Sequence, residues 1–558
     1  MKARLLLTGA ALTAALLAFG GDADAQLRDK KEKMTLPQAN AADGINKNLP
    51  ETIGSGRGNL TTIGSSIYII NRDPARSIRR GRQLFQRKML PTQGFSGRDR
   101  AGNIHTDPSI GAGVVDSCAG CHGRPRGSAG FGGDVFTRPD SRDAPHLFGL
   151  GLNEMLGDEI TTKLRAIRAS LAIGQTAQLT VQMGGGVTIN YGSITRTGQS
   201  TFNTANVVGV NADLRVQPFF AQGDTISIRE FLVGAFNAEM GVQGFDPDMQ
   251  AAAVSNLVVR TPSGMILNGP LDDIEAPPVS GTNVDGDGDG IMNELDVALI
   301  DHEEFYLLHY FKAAKLTGYD ASQTTEINNG RALFLGAGCG GCHIPDLTID
   351  RDRRVADVET VFNEAQGNPF NRLFATASII GVSVTNQGTP NILTFSDNEL
   401  FTQSAALPPR AFVVRNFFGD LKRHDLGNNF AERFHDNRTQ PHRQFMTEAL
   451  WGVGSTPPYG HDGRSHDLET VILRHGGEAQ TARNNFAALT RANRNQVIAF
   501  LNSLILFSPD DTASNLAGIN TNPPDPDGAG PIINQGFPQA GHGAIALTVL
   551  FNNPADLE

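Results

Sequence analysis

All four cysteines of this 558-residue chain fall in two copies of one five-residue pattern, Cys118-Ala119-Gly120-Cys121-His122 and Cys339-Gly340-Gly341-Cys342-His343. In a CxxCH motif the two thiols are spaced to add to the two vinyl groups of one haem, and the histidine that follows is carried beneath the ring as an axial iron ligand. A redox dithiol lacks that histidine, and a zinc site needs cysteine pairs that close on one metal. The pattern therefore predicts two covalently attached c-type haems, one held by Cys118, Cys121 and His122 and the other by Cys339, Cys342 and His343. No cysteine is left over for a disulfide.

Lys2 and Arg4 precede an apolar run from Leu5 to Phe19, and Ala23-Asp24-Ala25 stands before Gln26, which is the pattern of a cleaved export signal over residues 1–25. The run is too short to span a bilayer, which takes about 20 apolar residues, and no other segment approaches that length, so no membrane anchor is expected. Export suits covalent haem, which resemblance to cytochromes c places on the outer side of the bacterial inner membrane. A soluble periplasmic protein, or a secreted one, is the expectation. The formal charge of -11 argues against a nucleic-acid partner. With 63 glycines, 29 prolines and 7% aromatic residues the chain is loop-rich, as expected where haem supplies part of the apolar core.

Residues 26 to about 65 are polar and rich in Gly, Asn and Thr, and an extended lead-in is expected over 26–75. Beyond them, Gly81-Arg82-Gln83-Leu84-Phe85 recurs as Gly330-Arg331-Ala332-Leu333-Phe334, each copy ahead of its CxxCH and each with helix-compatible spacing. A second recurrence is looser: Ala144-Pro145-His146-Leu147-Phe148-Gly149-Leu150-Gly151 against Thr447-Glu448-Ala449-Leu450-Trp451-Gly452-Val453-Gly454. In a third, the stretch from Pro218 through Ile228 to Ala235 lies without gaps on Pro458 through Leu468 to His475. Three matches in the same order predict an internal duplication.

The fold class expected is mainly α, with two cytochrome c-like haem domains related by that duplication, a small β insertion and long loops. The N-terminal haem domain spans 76–280 with a hairpin inserted around 171–216, where apolar runs alternate about Gly184-Gly185-Gly186. Residues 281–320 read as an acidic loop and linker helix, 321–507 as the C-terminal haem domain, and 508–558 as a coil tail rich in Pro, Asn and Gly.

The ungapped third alignment sets His475 opposite Ala235, a potential ligand opposite a methyl group. If His475 is the sixth ligand of the C-terminal haem, that iron is saturated as His343/His475 and suits electron transfer. The haem on His122 would then be open to peroxide or dioxygen. One helical turn past Ala235 is Glu239, whose carboxylate above an open haem would take a proton from bound peroxide and return it to the leaving oxygen. A solvated helix residue is the other reading of Glu239.

Thr456-Pro457-Pro458-Tyr459-Gly460-His461-Asp462-Gly463-Arg464, followed by Leu468-Glu469 and His475, resembles the C-terminal signature of bacterial di-haem cytochrome c peroxidases and MauG-type enzymes. In that superfamily the residue matching His475 is the distal ligand of the C-terminal haem, Met or Tyr in the best-known branches. Histidine there implies a bis-His pair of lower potential, a feature that also resembles the di-haem rubber oxygenases. The resemblance further implies that Glu239, near Asn237, lies over the reactive haem, and that carbonyls of Thr456 and Pro458 match positions holding an inter-haem calcium.

The fullest likeness is to the di-haem oxidoreductase family, sometimes labelled thiol oxidoreductases, over most of residues 76–507. It rests on Arg124-Pro125-Arg126, Pro145 to Gly151, Ser227-Ile228-Arg229-Glu230-Phe231 and His475-Gly476-Gly477-Glu478-Ala479 taken together. Nothing in the sequence supports the thiol label.

A separate run from Asp285 to Asp296 has carboxylates at Asp285, Asp287 and Asp289, a turn glycine at Gly290, a backbone carbonyl at Ile291 and Asp296 in the twelfth place, matching a calcium loop. A solvated acidic turn is the alternative. His461 matches a family position near the haem interface, whereas His309, His424, His435, His442 and His466 read as surface or core histidines. Trp451, the sole tryptophan, reads as a packing residue, with electron hopping as the other role.

The function expected is that of an exported di-haem oxidoreductase of peroxidase type. Electrons would come from a small redox donor such as a cytochrome, a cupredoxin or a quinol-linked protein, and peroxide or dioxygen would react at the His122 haem. An oxygenase or oxidase acting on an organic or protein substrate, and a pure electron-transfer cytochrome, are the alternatives.

Overall fold

The computed structural model describes residues 49–72, 74–89, 117–123, 143–286, 288, 290–309, 314–315, 321–350, 412–414, 416–432 and 443–505. The chain divides into two units, Met1–Thr52 and Ile53–Glu558. The export signal expected over 1–25, the motif Arg124-Pro125-Arg126, the calcium-loop positions Asp287 and Asp289, His435, His442 and the tail from 508 lie outside the described residues.

The described residues are moderately helical with small antiparallel sheets, consistent with the mainly α class expected. The helices are α1 (Leu49–Ile53), α2 (Ser66–Arg72), α3 (Pro74–Gln86), α4 (Ala119–His122), α5 (Leu150–Ser170), α6 (Ile228–Met240), α7 (Pro247–Ala253), α8 (Val297–His309), α9 (Ala321–Gly336), α10 (Leu468–Arg474), α11 (Gln480–Ala488) and α12 (Arg491–Asn502). Strands β1 (Thr176–Gln182), β2 (Thr188–Arg196) and β3 (Phe202–Asn203) form one antiparallel sheet in the order of the chain. Leu179, Val181, Ile189 and Tyr191 are buried on one face of it by strand alternation, and the register shift between Gln178 and Thr180 brings Ile194, opposite Ala177, back to that face. The expected hairpin over 171–216 is therefore a three-stranded insertion. Among the described residues no helix is long and apolar enough to cross a membrane.

Two helix pairs carry the architecture, α3 along α8 and α9 along α12. On α3, Ile78, Gly81 and Phe85 share a buried face, and Ile327, Gly330 and Phe334 repeat that spacing on α9. A Cβ on Gly81 would overlap the His302 carbonyl oxygen on α8, and one on Gly330 would overlap the Gln496 carbonyl oxygen on α12. Only glycine lets the backbones approach this closely. Among the described residues the apolar core gathers in two main clusters. One lies around α5, α8 and the sheet, and the other around Phe334, Phe418, Phe486 and Phe500.

Local geometry recurs along the third sequence match. Phe219 bridges Thr225, and Tyr459 bridges Ser465 in the same antiparallel sense. Ser227 caps α6 by accepting a hydrogen bond from the Glu230 amide at 3.1 Å, and Asp467 caps α10 by accepting one from the Thr470 amide at 2.7 Å. The two helices then differ. Helix α6 runs on through Ala235 to Met240 and stops at Gly241 in the left-handed region, whereas α10 stops at Arg474 and His475 leaves it with φ -56° and ψ 137°.

Two expectations differ from the structure. The lead-in over 26–75 is helical from Leu49 onward in part, with Ile69 and Ile70 buried and Arg57 paired with Asp248 and Asp301. The helix expected as a linker, α8, is instead buried along its length from Ala298 to His309. It tolerates burial because its charges are met: Arg229 pairs with Asp301 at 3.0 Å and Glu304 at 2.9 Å, Ser66 donates to Asp301 at 2.6 Å, and His302 Nδ1 meets the Ser77 hydroxyl at 2.9 Å.

Candidate cofactor site

Each CxxCH motif is wound into one turn, in which the His122 amide donates to the Cys118 carbonyl at 3.0 Å and the His343 amide to the Cys339 carbonyl at 2.9 Å. The turn brings two thiols and an imidazole to one end of a short loop. All four cysteines are free and half-buried. Burial pushes the Cys121 and Cys339 thiols up to about 11, with the Glu239 carboxylate adding to the effect at Cys121.

The three histidines expected as iron ligands share one hydrogen-bond arrangement. His122 Nδ1 lies 2.7 Å from the Pro145 carbonyl oxygen, His343 Nδ1 2.9 Å from that of Phe418, and His475 Nδ1 2.8 Å from that of Val471. A carbonyl only accepts, so each Nδ1 carries the proton and each Nε2 keeps its lone pair for a metal. Burial lowers all three imidazoles, against the pull of their carbonyls, which keeps them neutral as ligation requires. His343 is pushed down to about 4, and His475 nearby contributes to that shift.

One cavity of about 1020 Å³ is lined by both motifs, by His475 and by Glu239. It stands at the top of the roughly 300–1,000 Å³ usual for small-molecule sites. Paired thiols, neutral imidazoles with Nε2 available, and an apolar lining that includes Phe219, Phe236, Phe334 and Phe445 fit covalently held haem.

His475 is steadied from several sides. The Phe430 ring meets its ring edge-on at 5.2 Å, and Arg474 stacks over Phe430 while forking onto Asp462, with Nη1 at 2.7 Å. His461 is stacked on Phe445 at 4.2 Å, lies 3.0 Å from Glu432 and lines the same cavity.

The structure also supplies partners that sequence reasoning did not, and one residue, Glu303, that it missed. His146 Nε2 donates to the Trp451 carbonyl at 2.8 Å while its Nδ1 accepts from the Phe148 amide, so both nitrogens are engaged and the second sequence match is pinned together across its two copies. Trp451 itself is buried, edge-on to Phe417 at 5.2 Å. Glu303 sits 3.1 Å from the Cys118 sulfur. His424, read as a surface or core histidine, is a core histidine that also lines the cavity and is bonded at both nitrogens by carboxylates. The four polar residues Asp301-His302-Glu303-Glu304 in an otherwise apolar helix were the available signal for Glu303.

Of the expected calcium positions, Asp285 accepts from the Gly288 amide at 2.7 Å and the Gly290 amide at 3.0 Å, closing a tight loop. Asp296 accepts from the Ala298 amide at 2.8 Å at the start of α8. The adjoining Asn293 and Glu294 side chains accept from the Phe245 and Gln243 amides and dock the loop on the segment after α6.

Residues 376–504 match the family model described as "Di-haem oxidoreductase, putative peroxidase". Neither a curated protein nor a solved structure matches the chain.

Proposed function

From the match of residues 376–504 to the di-haem oxidoreductase family model, which supports that family for this chain, we propose that this protein is an exported di-haem c-type cytochrome that reduces peroxide. We also propose that its halves arose by duplication, supported by the paired bridges, caps and glycine crossings at matching positions. The observation that carries the functional reading is the inequality between the matched positions: His475 leaves its helix beside His343, while Ala235 stays within α6.

When bound, haem would supply redox iron at both motifs, with a coordination position left for peroxide at the first. His122 and His343 would hold the irons through Nε2, their rings fixed by the Pro145 and Phe418 carbonyls. His475, with Nε2 left available by its bond to the Val471 carbonyl, would serve as a further ligand for the haem at the second motif and keep substrate from it. Glu239, on the same cavity as Cys121 and His122, would accept a proton from the near oxygen of peroxide and return it to the far one. Reduction of one peroxide to two waters takes two electrons from the donor protein and two protons from solvent. The Asp285–Asp296 loop would bind calcium beside α8 as a structural clamp.

Electron paramagnetic resonance of the oxidised holoprotein tests this reading by counting iron spin states. One low-spin and one high-spin iron, with cyanide binding only the latter, is the expected result. Two low-spin irons that both refuse cyanide would leave the electron-transfer cytochrome standing instead.

A further inference from the structure

We infer that His424 is a positioning residue that ties together the two chain segments carrying His343's carbonyl partner and His475, through paired hydrogen bonds to Asp420 and Glu478. The inference rests on the bis-His reading of the second haem site and adds a residue that reading does not assign.

His424 Nε2 lies 2.8 Å from Asp420 Oδ2 and Nδ1 lies 2.8 Å from Glu478 Oε2. Ionised carboxylates only accept, so bonding both at once takes an N–H on each ring nitrogen, which makes the ring an imidazolium between two anions. Asp420 stands two residues after Phe418, whose carbonyl fixes His343, and its own carbonyl is held by the Tyr191 hydroxyl at 3.1 Å. Glu478 stands three residues after His475, and its second oxygen accepts from the Asp425 amide at 3.0 Å. His424 thus sits at the crossing of the segment behind one axial ligand and the segment behind the other.

The same geometry argues against a second metal there. Cys342, Asp420 and His424 are close enough together to hold an ion. Yet both His424 nitrogens are spent as donors, and the Cys342 sulfur, 3.8 Å from Nδ1, is committed to haem by its motif. What His424 offers the second site is a rigid brace between the two segments, its charge met by Asp420 and Glu478. Groups bonded directly to a ligand, as the Phe418 and Val471 carbonyls are, typically change metal ligation by about 10–100-fold when removed; His424 acts through the segments that carry those ligands, so its loss is expected at the lower end of that range.

The test uses holoprotein carrying His424→Gln or Glu478→Gln, with His475→Ala as the reference. Glu478 is half-exposed, so its variant keeps the fold even if His424→Gln fails to accumulate. Both variants should weaken His475 ligation about tenfold, read as growth of a high-spin signal from the second haem and faster cyanide binding there, with the first haem's signal unchanged. Folded variants whose low-spin signal and cyanide kinetics match the parent protein would overturn the role of His424. If His475→Ala also leaves that low-spin signal intact, the ligand assignment itself is wrong and the brace has nothing to position.

Discussion

Glu303 places a carboxylate oxygen 3.1 Å from the Cys118 sulfur, on a helix with no exposure at that position. Burial pushes this carboxyl up to about 8, against the lowering effect of the Cys118 thiol's hydrogen bond. An unfolded glutamate ionises near 4.3, so between about pH 4 and pH 8 the unfolded chain has released a proton that the folded chain keeps. The unfolded state then binds fewer protons, and stability falls as pH rises through that window. At about 1.4 kcal/mol per pH unit the loss amounts to a few kcal/mol. Glu303→Gln should flatten the slope, as measured by urea unfolding at pH 5 and pH 8; a slope equal to the parent's would assign it to other groups.

Replacing His475 with alanine should open the second iron. The expected outcome is loss of the low-spin signal assigned to the His343/His475 pair and the appearance of carbon monoxide binding after reduction. Since the Nδ1 bond to Val471 is local to the end of α10, the fold should survive, and far-ultraviolet circular dichroism should match the parent.

Glu239→Gln keeps the size of the side chain and removes its basicity. General acid-base assistance of this kind is typically worth about 10²–10⁴-fold in rate. Peroxide turnover with an artificial donor should fall within that range while both haem spectra stay as they were. A rate unchanged by the substitution would remove Glu239 from the reaction.

Gly330→Ala should destabilise the protein by about 1–3 kcal/mol, because the new methyl group must displace the Gln496 carbonyl at the α9–α12 crossing. Gly336 lies on the same helix with nothing within 4 Å of an added Cβ. Gly336→Ala should therefore be neutral or mildly stabilising. Thermal melts of the two variants compare close approach with helix propensity; equal melting temperatures would refute the packing argument.

What could be read from the sequence was whatever is local or repeated. The CxxCH turns close within five residues, and the pairing of Ala235 with His475 needed only an ungapped match. The partners that orient the candidate ligands were hidden because they come from afar: the carbonyls holding His122 and His343 lie 23 and 75 residues away in the chain, and Glu478 lies 54 from His424. The burial of helix α8 was hidden for a different reason. A run such as Asp301-His302-Glu303-Glu304 reads as solvated until Arg229, Ser66 and Ser77 pack on it, and only tertiary contact supplies those partners.

Both CxxCH motifs face one cavity, so a charge placed at either would act on the other through a weakly screening interior rather than through bulk water. A potentiometric titration of the loaded protein should then yield two steps that belong to the pair. The first electron would raise the cost of the second, and neither midpoint could be assigned to a single iron without a variant that silences its neighbour.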